Sequence, residues 1–142
     1  MKIRSDYVTN SSSSSFIIAY RSLPEFDEET ITKYPFLKNY GMLIDKMLFT
    51  SGDGDTDTGE VYSTKAEWDE HVVDWYGCRD ESLEEVLETN NYIKTMYHDA
   101  VKYLENGFKI LSKSVDYDDT YCYNMIRELA NDKENFIILE SD

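Results

Sequence analysis

A chain of 142 residues, 41% hydrophobic and 14% aromatic, is the size of one domain and has enough apolar content to fold around its own core. Against 14 Lys and Arg stand 29 Asp and Glu, a formal net charge of −15. Such a charge repels nucleic acid and anionic membranes over about a Debye length of ~10 Å. It argues against direct nucleic-acid binding, which needs a basic footprint, and makes basic protein surfaces the expected partners.

In chain order, residues 1–15 read as a Ser-rich segment leading into a first strand at 16–20, where five apolar or aromatic residues follow one another. No apolar core of a signal peptide follows Lys2 and Arg4, and no apolar stretch has the length of a membrane span. Pro24 and the acidic residues after it read as an exposed connection. Leu37, Tyr40, Ile44, Met47 and Leu48 recur at helical spacing and predict a helix over 37–49. Residues 51–59 form a Gly/Asp/Thr loop, and 60–63 a short strand or an entry segment. Thr64 with Glu67 is a capping box, opening a helix that carries Trp68, Val72, Trp75 and Tyr76 and stops near Gly77. Ser82 with Glu85 is a second, opening a long helix that ends at Asn106-Gly107, with Asn90-Asn91 its weak point. Residues 108–115 read as a strand. Cys122, Met125, Ile126, Leu129 and Ala130 form a helical stripe, and 136–139 is a last buried strand.

These elements predict an α/β fold, with α+β as the alternative. It holds a small mixed sheet of three to four strands, about four helices, and a C-terminal βαβ unit with a right-handed crossover. No linker divides residues 1–142, so one domain is expected.

Four groups of residues are candidates for chemistry. Asp53, Asp55 and Asp57 alternate as hard oxygen donors for Ca²⁺ do, and a weak Ca²⁺ site is the one cofactor considered. Counted from Asp53, however, the sixth and twelfth positions hold Thr58 and Thr64, not the Gly and Glu of an EF-hand; a solvated turn is the favoured reading. Glu67, His71 and Asp74, with Glu70 beside them, are spaced to share a helix face. The H-E-x-x-H and E-x-x-H patterns are absent, and a polar face opposite the Trp68 and Trp75 stripe is expected instead. His98 and Asp99 with Cys78 and Cys122 would have to converge from scattered positions to bind zinc. The two cysteines make no disulfide framework, and a reducing cytoplasm fits them best. Asp116, Tyr117, Asp118, Asp119, Tyr121 and Tyr123 form an acidic, aromatic segment suited to a basic surface. No phosphate-cradling or nucleophile-elbow motif occurs, so no catalytic residue is assigned.

Ser11, Ser12, Ser13, Ser14 and Ser15 run unbroken, and an extended peptide of hydroxyls is a candidate for modification or recognition. Lys2-Ile3-Arg4, Tyr7-Val8-Thr9-Asn10, the serines and Phe16-Ile17 resemble an N-terminal signature, K-x-R-x-x-[FY]-V-[ST]-N-S-S-S-S-S-F, of small bacterial and phage proteins. The resemblance covers residues 2–17. It implies a bacterial or phage origin and a shared fate for the N-terminus, and it implies no activity. The expected function is therefore that of an acidic, non-enzymatic, cytoplasmic protein that binds a basic protein surface, as an inhibitor or nucleic-acid mimic. The alternatives are a protein whose Ser-rich N-terminus is processed, and an α/β enzyme or small-ligand-binding domain with unfamiliar motifs.

Overall fold

The computed structural model describes residues 13–23, 27–52, 54–78 and 80–141, with the backbone alone at 36, 37 and 39–41. Its elements are β1 (Ser13–Tyr20), α1 (Glu28–Lys33), α2 (Phe36–Phe49), β2 (Glu60–Tyr62), α3 (Lys65–Tyr76), α4 (Leu83–Thr89), α5 (Asn91–Glu105), β3 (Lys109–Asp116), α6 (Thr120–Leu129) and β4 (Phe136–Ser141). The class is mixed α/β as expected.

Local chemistry explains most of these boundaries. Both capping boxes form, at Thr64/Glu67 and at Ser82/Glu85. The long helix does divide. Asn90 turns out of the helix, and its side chain caps the next one by accepting from the amides of Tyr92 at 2.9 Å and Ile93 at 3.2 Å. α1 begins at the end of the stretch read as a connection, overlapping it at Glu28 and Glu29, and continues to Lys33. Its cap is Asp27, which accepts from the Thr30 amide at 2.7 Å, with Glu28 and Glu29 in the first turn. Leu37 and Tyr40 of the predicted stripe lie outside the described side chains. Ile44 and Leu48 are buried.

The strands stand in the order β2-β3-β1-β4, and every neighbouring pair is antiparallel. β3 and β4 therefore run the same way with β1 between them. The C-terminal strand–helix–strand segment exists as a split unit, not as two adjacent parallel strands. The helical and strand periods of the last 35 residues are the same in both cases; only the long-range pairing with β1 separates them.

β1 sits at the centre and is buried on both faces, so it reads as a continuous apolar run. Phe16 and Ile18 face one core with Leu111, Val115, Phe136, Ile44 and Leu48 of α2, and Cys122 and Ile126 of α6. Ile17 and Ala19 face the other core with Ile110, Tyr62, Trp68 and Val72 of α3, and Ile93, Met96 and Ala100 of α5. The sheet is thus covered by α2 and α6 on one side and by α3, α4 and α5 on the other.

Two sequence expectations shift here. Strand β1 begins at Ser13, three residues before the apolar run, and Ser13, Ser14 and Ser15 pair with Asp116, Val115 and Ser114. The Gly/Asp/Thr loop is also more than a solvated turn. Strand β2 is only three residues long, and the loop continues its edge along β3 through a mixture of backbone and side-chain hydrogen bonds. The Asp57 amide donates to the Ser114 carbonyl at 3.0 Å, and the Asp57 carboxylate accepts from the Ser114 amide at 3.1 Å. Thr56 Oγ1 accepts from the Asp116 amide at 2.8 Å. The Asp116 carboxylate in turn accepts from the Asp55 amide at 2.8 Å. Gly54 allows this approach: its φ of +55° suits glycine, and a Cβ there would collide with the Asp116 carboxylate. Beneath the loop, buried Lys113 donates to the carbonyls of Thr50, at 3.1 Å, and Asp57. Burial pushes its amine below the usual lysine range.

Candidate functional site

Two clefts of similar size lie on opposite faces of the sheet. The first, about 600 Å³, opens between α2 and α6 and is bounded below by residues 50–52. Its walls are Leu43 and Met47 of α2 and Met125 of α6, with Tyr121 beside them. Tyr121 is 82% exposed, and Met42 next to Leu43 is 65% exposed. Leu43 and Tyr121 thus leave apolar area exposed along this cleft. Asp119 and Glu128 supply acid and Lys46 a single cation to the lining.

Of the predicted acidic, aromatic segment, Asp119 and Tyr121 line that cleft. Tyr117 and Tyr121 are exposed, as is Asp118. Asp116 and Asp119 are buried and act within the fold. Asp119 caps α6 by accepting from the Cys122 amide at 3.3 Å. Asp116 also accepts from the Asp118 amide at 2.8 Å, and these amide hydrogen bonds hold its carboxyl below the usual carboxylate range. Tyr123 packs edge-on against Phe16 at 5.4 Å between ring centroids, and its hydroxyl accepts from Arg127 at 3.0 Å.

The second cleft, about 560 Å³, lies between β2 and α3. Its lining includes Glu60 and Tyr62 of β2, and Glu67, Glu70, His71, Asp74 and Trp75 of α3. His71 is stacked between Trp68 and Trp75, at 5.3 and 6.0 Å with interplanar angles of 19° and 13°. The Tyr62 hydroxyl lies 2.5 Å from Glu60 Oε2 and 2.7 Å from His71 Nδ1. With its proton donated to Glu60, its oxygen is left to accept from Nδ1. Burial, followed by the Glu60 hydrogen bond, raises the Tyr62 hydroxyl well above its ordinary value of 10.0. A recess of about 80 Å³ continues this cleft and shares Glu60, His71 and Trp75 with it. Ser15, Ser112 and Ser114 line that recess. Ser15 pairs with Ser114 and Ile17 with Ser112, so the three hydroxyls come to one place across β1 and β3.

The predicted His/carboxylate face of α3 is therefore divided. Glu67 closes the capping box and accepts from Ser63 and Thr64, which keeps its carboxyl below the usual range. His71 is half-buried among rings, not exposed with the acids. The serine run contributes Ser15 to a cleft, which only the strand register could show. Ser14 is fully buried, so in the folded chain its hydroxyl is closed to a modifying enzyme, and Ser11 and Ser12 lie outside the described residues.

The remaining candidates do not converge. Cys122 packs in the α2/α6 core, and burial raises its thiol to about 11, which makes it a poor nucleophile. Cys78 is exposed, and His98 lies on α5 beyond the opposite face of the sheet. Asp53 lies outside the described residues, and Asp57 holds the Ser114 amide. Among the described residues, no three His, Cys, Asp or Glu side chains are grouped to hold a metal, and no helix is long and apolar enough to cross a membrane.

Compared with protein-family models, with curated proteins and with solved structures, the chain matches none.

Proposed function

We propose that this is an acidic, non-enzymatic interaction protein that seats a basic, amphipathic segment of a partner protein in the α2/α6 cleft. The observation that carries the reading is Tyr121, 82% exposed beside a cleft walled by Leu43, Met47 and Met125. Apolar walls receive the hydrophobic face of such a segment, and methionines adapt to its shape. The field of a chain with a net charge of −15 steers a basic partner and rejects acidic ones. The N-terminal signature supports a bacterial or phage origin, and two free cysteines suit a reducing compartment.

The test is affinity capture from a bacterial lysate at low salt, with the protein and its Tyr121→Ala/Met125→Asp variant side by side. The captured protein is then purified and its affinity measured. A partner that binds the parent chain, weakens with salt and loses at least ~10-fold in affinity for the variant supports the reading. No partner, or one indifferent to the variant, overturns it.

A further inference from the structure

We propose that the cleft between β2 and α3 binds an organic cation, a primary ammonium or guanidinium group on a short aliphatic stem. The walls supply the first reason. His71 lies within 13° of parallel to Trp75, with ring centroids 6.0 Å apart, and Tyr62 adds a third ring 4.8 Å from His71. Both faces of His71 are covered, by Trp68 and Trp75, so the half-buried Trp75 ring that lines the cleft is the one to meet the ligand; ring faces attract cations, ammonium and guanidinium groups above all. A stem of a few methylenes packs on the same faces.

The helix supplies the second reason. α1, α2, α5 and α6 each place a basic residue in the last turn, where it complements the negative end of the helix: Lys33, Lys46, Lys102 and Arg127. α3 has none. At that end it carries Asp74, one turn beyond Glu70, and both line the cleft. Like charges at that spacing cost a helix roughly 0.2–0.5 kcal/mol, and an acid near the C-terminus adds to this. No Lys or Arg lies among the described residues of the main cleft. A bound cation removes both costs.

The floor supplies the third. Ser15, Ser112 and Ser114 line the recess and offer acceptors to N–H donors; Lys113 lines it too, its amine already given to the carbonyls of Thr50 and Asp57, and Glu60 lines both the recess and the main cleft. Glu67 is committed to its cap, so Glu70 and Asp74 are the acids that meet the charge. The whole cleft, about 560 Å³, is within the range of small-ligand sites. It lies across the sheet from the α2/α6 cleft and does not depend on it.

Calorimetric titration of the full chain at low salt with Nα-acetyl-arginine amide (arginine amide below), and with Nα-acetyl-citrulline amide (citrulline amide) as its neutral isostere, tests the site. Arginine amide should bind and quench Trp75 fluorescence, while citrulline amide should not. Glu70→Gln/Asp74→Asn should weaken binding at least ~10-fold. Both residues are exposed, so the variant should keep the parent near-ultraviolet circular dichroism. Trp75→Leu, read by calorimetry, should weaken binding with every carboxylate in place. A short basic peptide containing one arginine separates the sources: tighter binding than arginine amide assigns the cation to a protein side chain, equal binding to a free small molecule. Equal binding of the two amides, no binding of arginine amide, or binding unmoved by the substitutions overturns the proposal.

Discussion

On the α2/α6 side the sheet is covered by aliphatic and thioether side chains that leave a greasy cleft under Tyr121, whereas on the α3 side its end is floored by serines and walled by rings and carboxylates. The difference begins in single strands. In β3, Leu111 and Val115 point to the first core, while Ser112 and Ser114 point the other way. In β1, Phe16 and Ile18 face the first core and Ser15 shares the opposite face with Ile17. Strand alternation thus lets one sheet present two chemistries, because successive side chains leave on opposite sides. The two clefts approach one another at the segment held by Lys113: Thr50 lines the first cleft, and Asp57 and Lys113 the recess of the second.

Four measurements break or sharpen that contrast. The largest effect is expected from Trp68→Ala, which empties the α3 core and removes one side of the His71 stack. Urea unfolding should show a loss of about 4 kcal/mol. In any folded fraction arginine amide binding should fall while the Tyr121 cleft keeps its partner. Next is Lys113→Met, which keeps the volume and leaves the carbonyls of Thr50 and Asp57 without their donor. A loss of about 2 kcal/mol is expected by the same method. Hydrogen exchange should quicken at the Asp57 and Ser114 amides. Because this loop borders both clefts, both affinities should drop together, which separates it from Trp68→Ala.

Tyr121→Ala should change stability by less than about 0.5 kcal/mol, since an exposed ring buries little area. It should act on partner affinity alone and leave amine binding intact. The smallest effect is one that acid removes. The Asp116 carboxyl is held below its ordinary 3.8 by the Asp55 and Asp118 amides. Its contribution to stability is fully present above pH 3.8 and lost as pH falls through its lower folded value. Asp116→Asn should therefore be less stable than the parent at neutral pH, and the gap in urea midpoints should narrow below pH 3.8.

The clefts were unequally visible in the sequence. Tyr117, Asp118 and Tyr121 stood out as an exposed acidic and aromatic segment because they are adjacent in the chain. Asp116 and Asp119 in the same stretch carry the same charge, yet one holds a loop and the other caps α6. Composition cannot distinguish a carboxylate facing water from one facing amides. The second cleft was half visible: Glu67, Glu70, His71 and Asp74 could be read from helical spacing. Ser15, Ser112 and Ser114 could not, because nearly a hundred residues separate Ser15 from its neighbours on β3.

The sequence by itself determined what depends on near neighbours. Capping boxes at Thr64 and Ser82, the Asn90 break, the apolar periods of the helices and the buried run at 16–20 all follow from interactions within a few residues. So do the mixed α/β class and the net charge of −15. Only the tertiary structure decided where the strands lie and what they bring together. It put β1 between β3 and β4, drew Ser13, Ser14 and Ser15 into a central strand, and turned the Asp-rich loop into the cover of a sheet edge. Those outcomes depend on pairings across long stretches of chain. Their register is fixed when both faces of the sheet bury their apolar sets at once, and a slip of one residue would exchange the two faces.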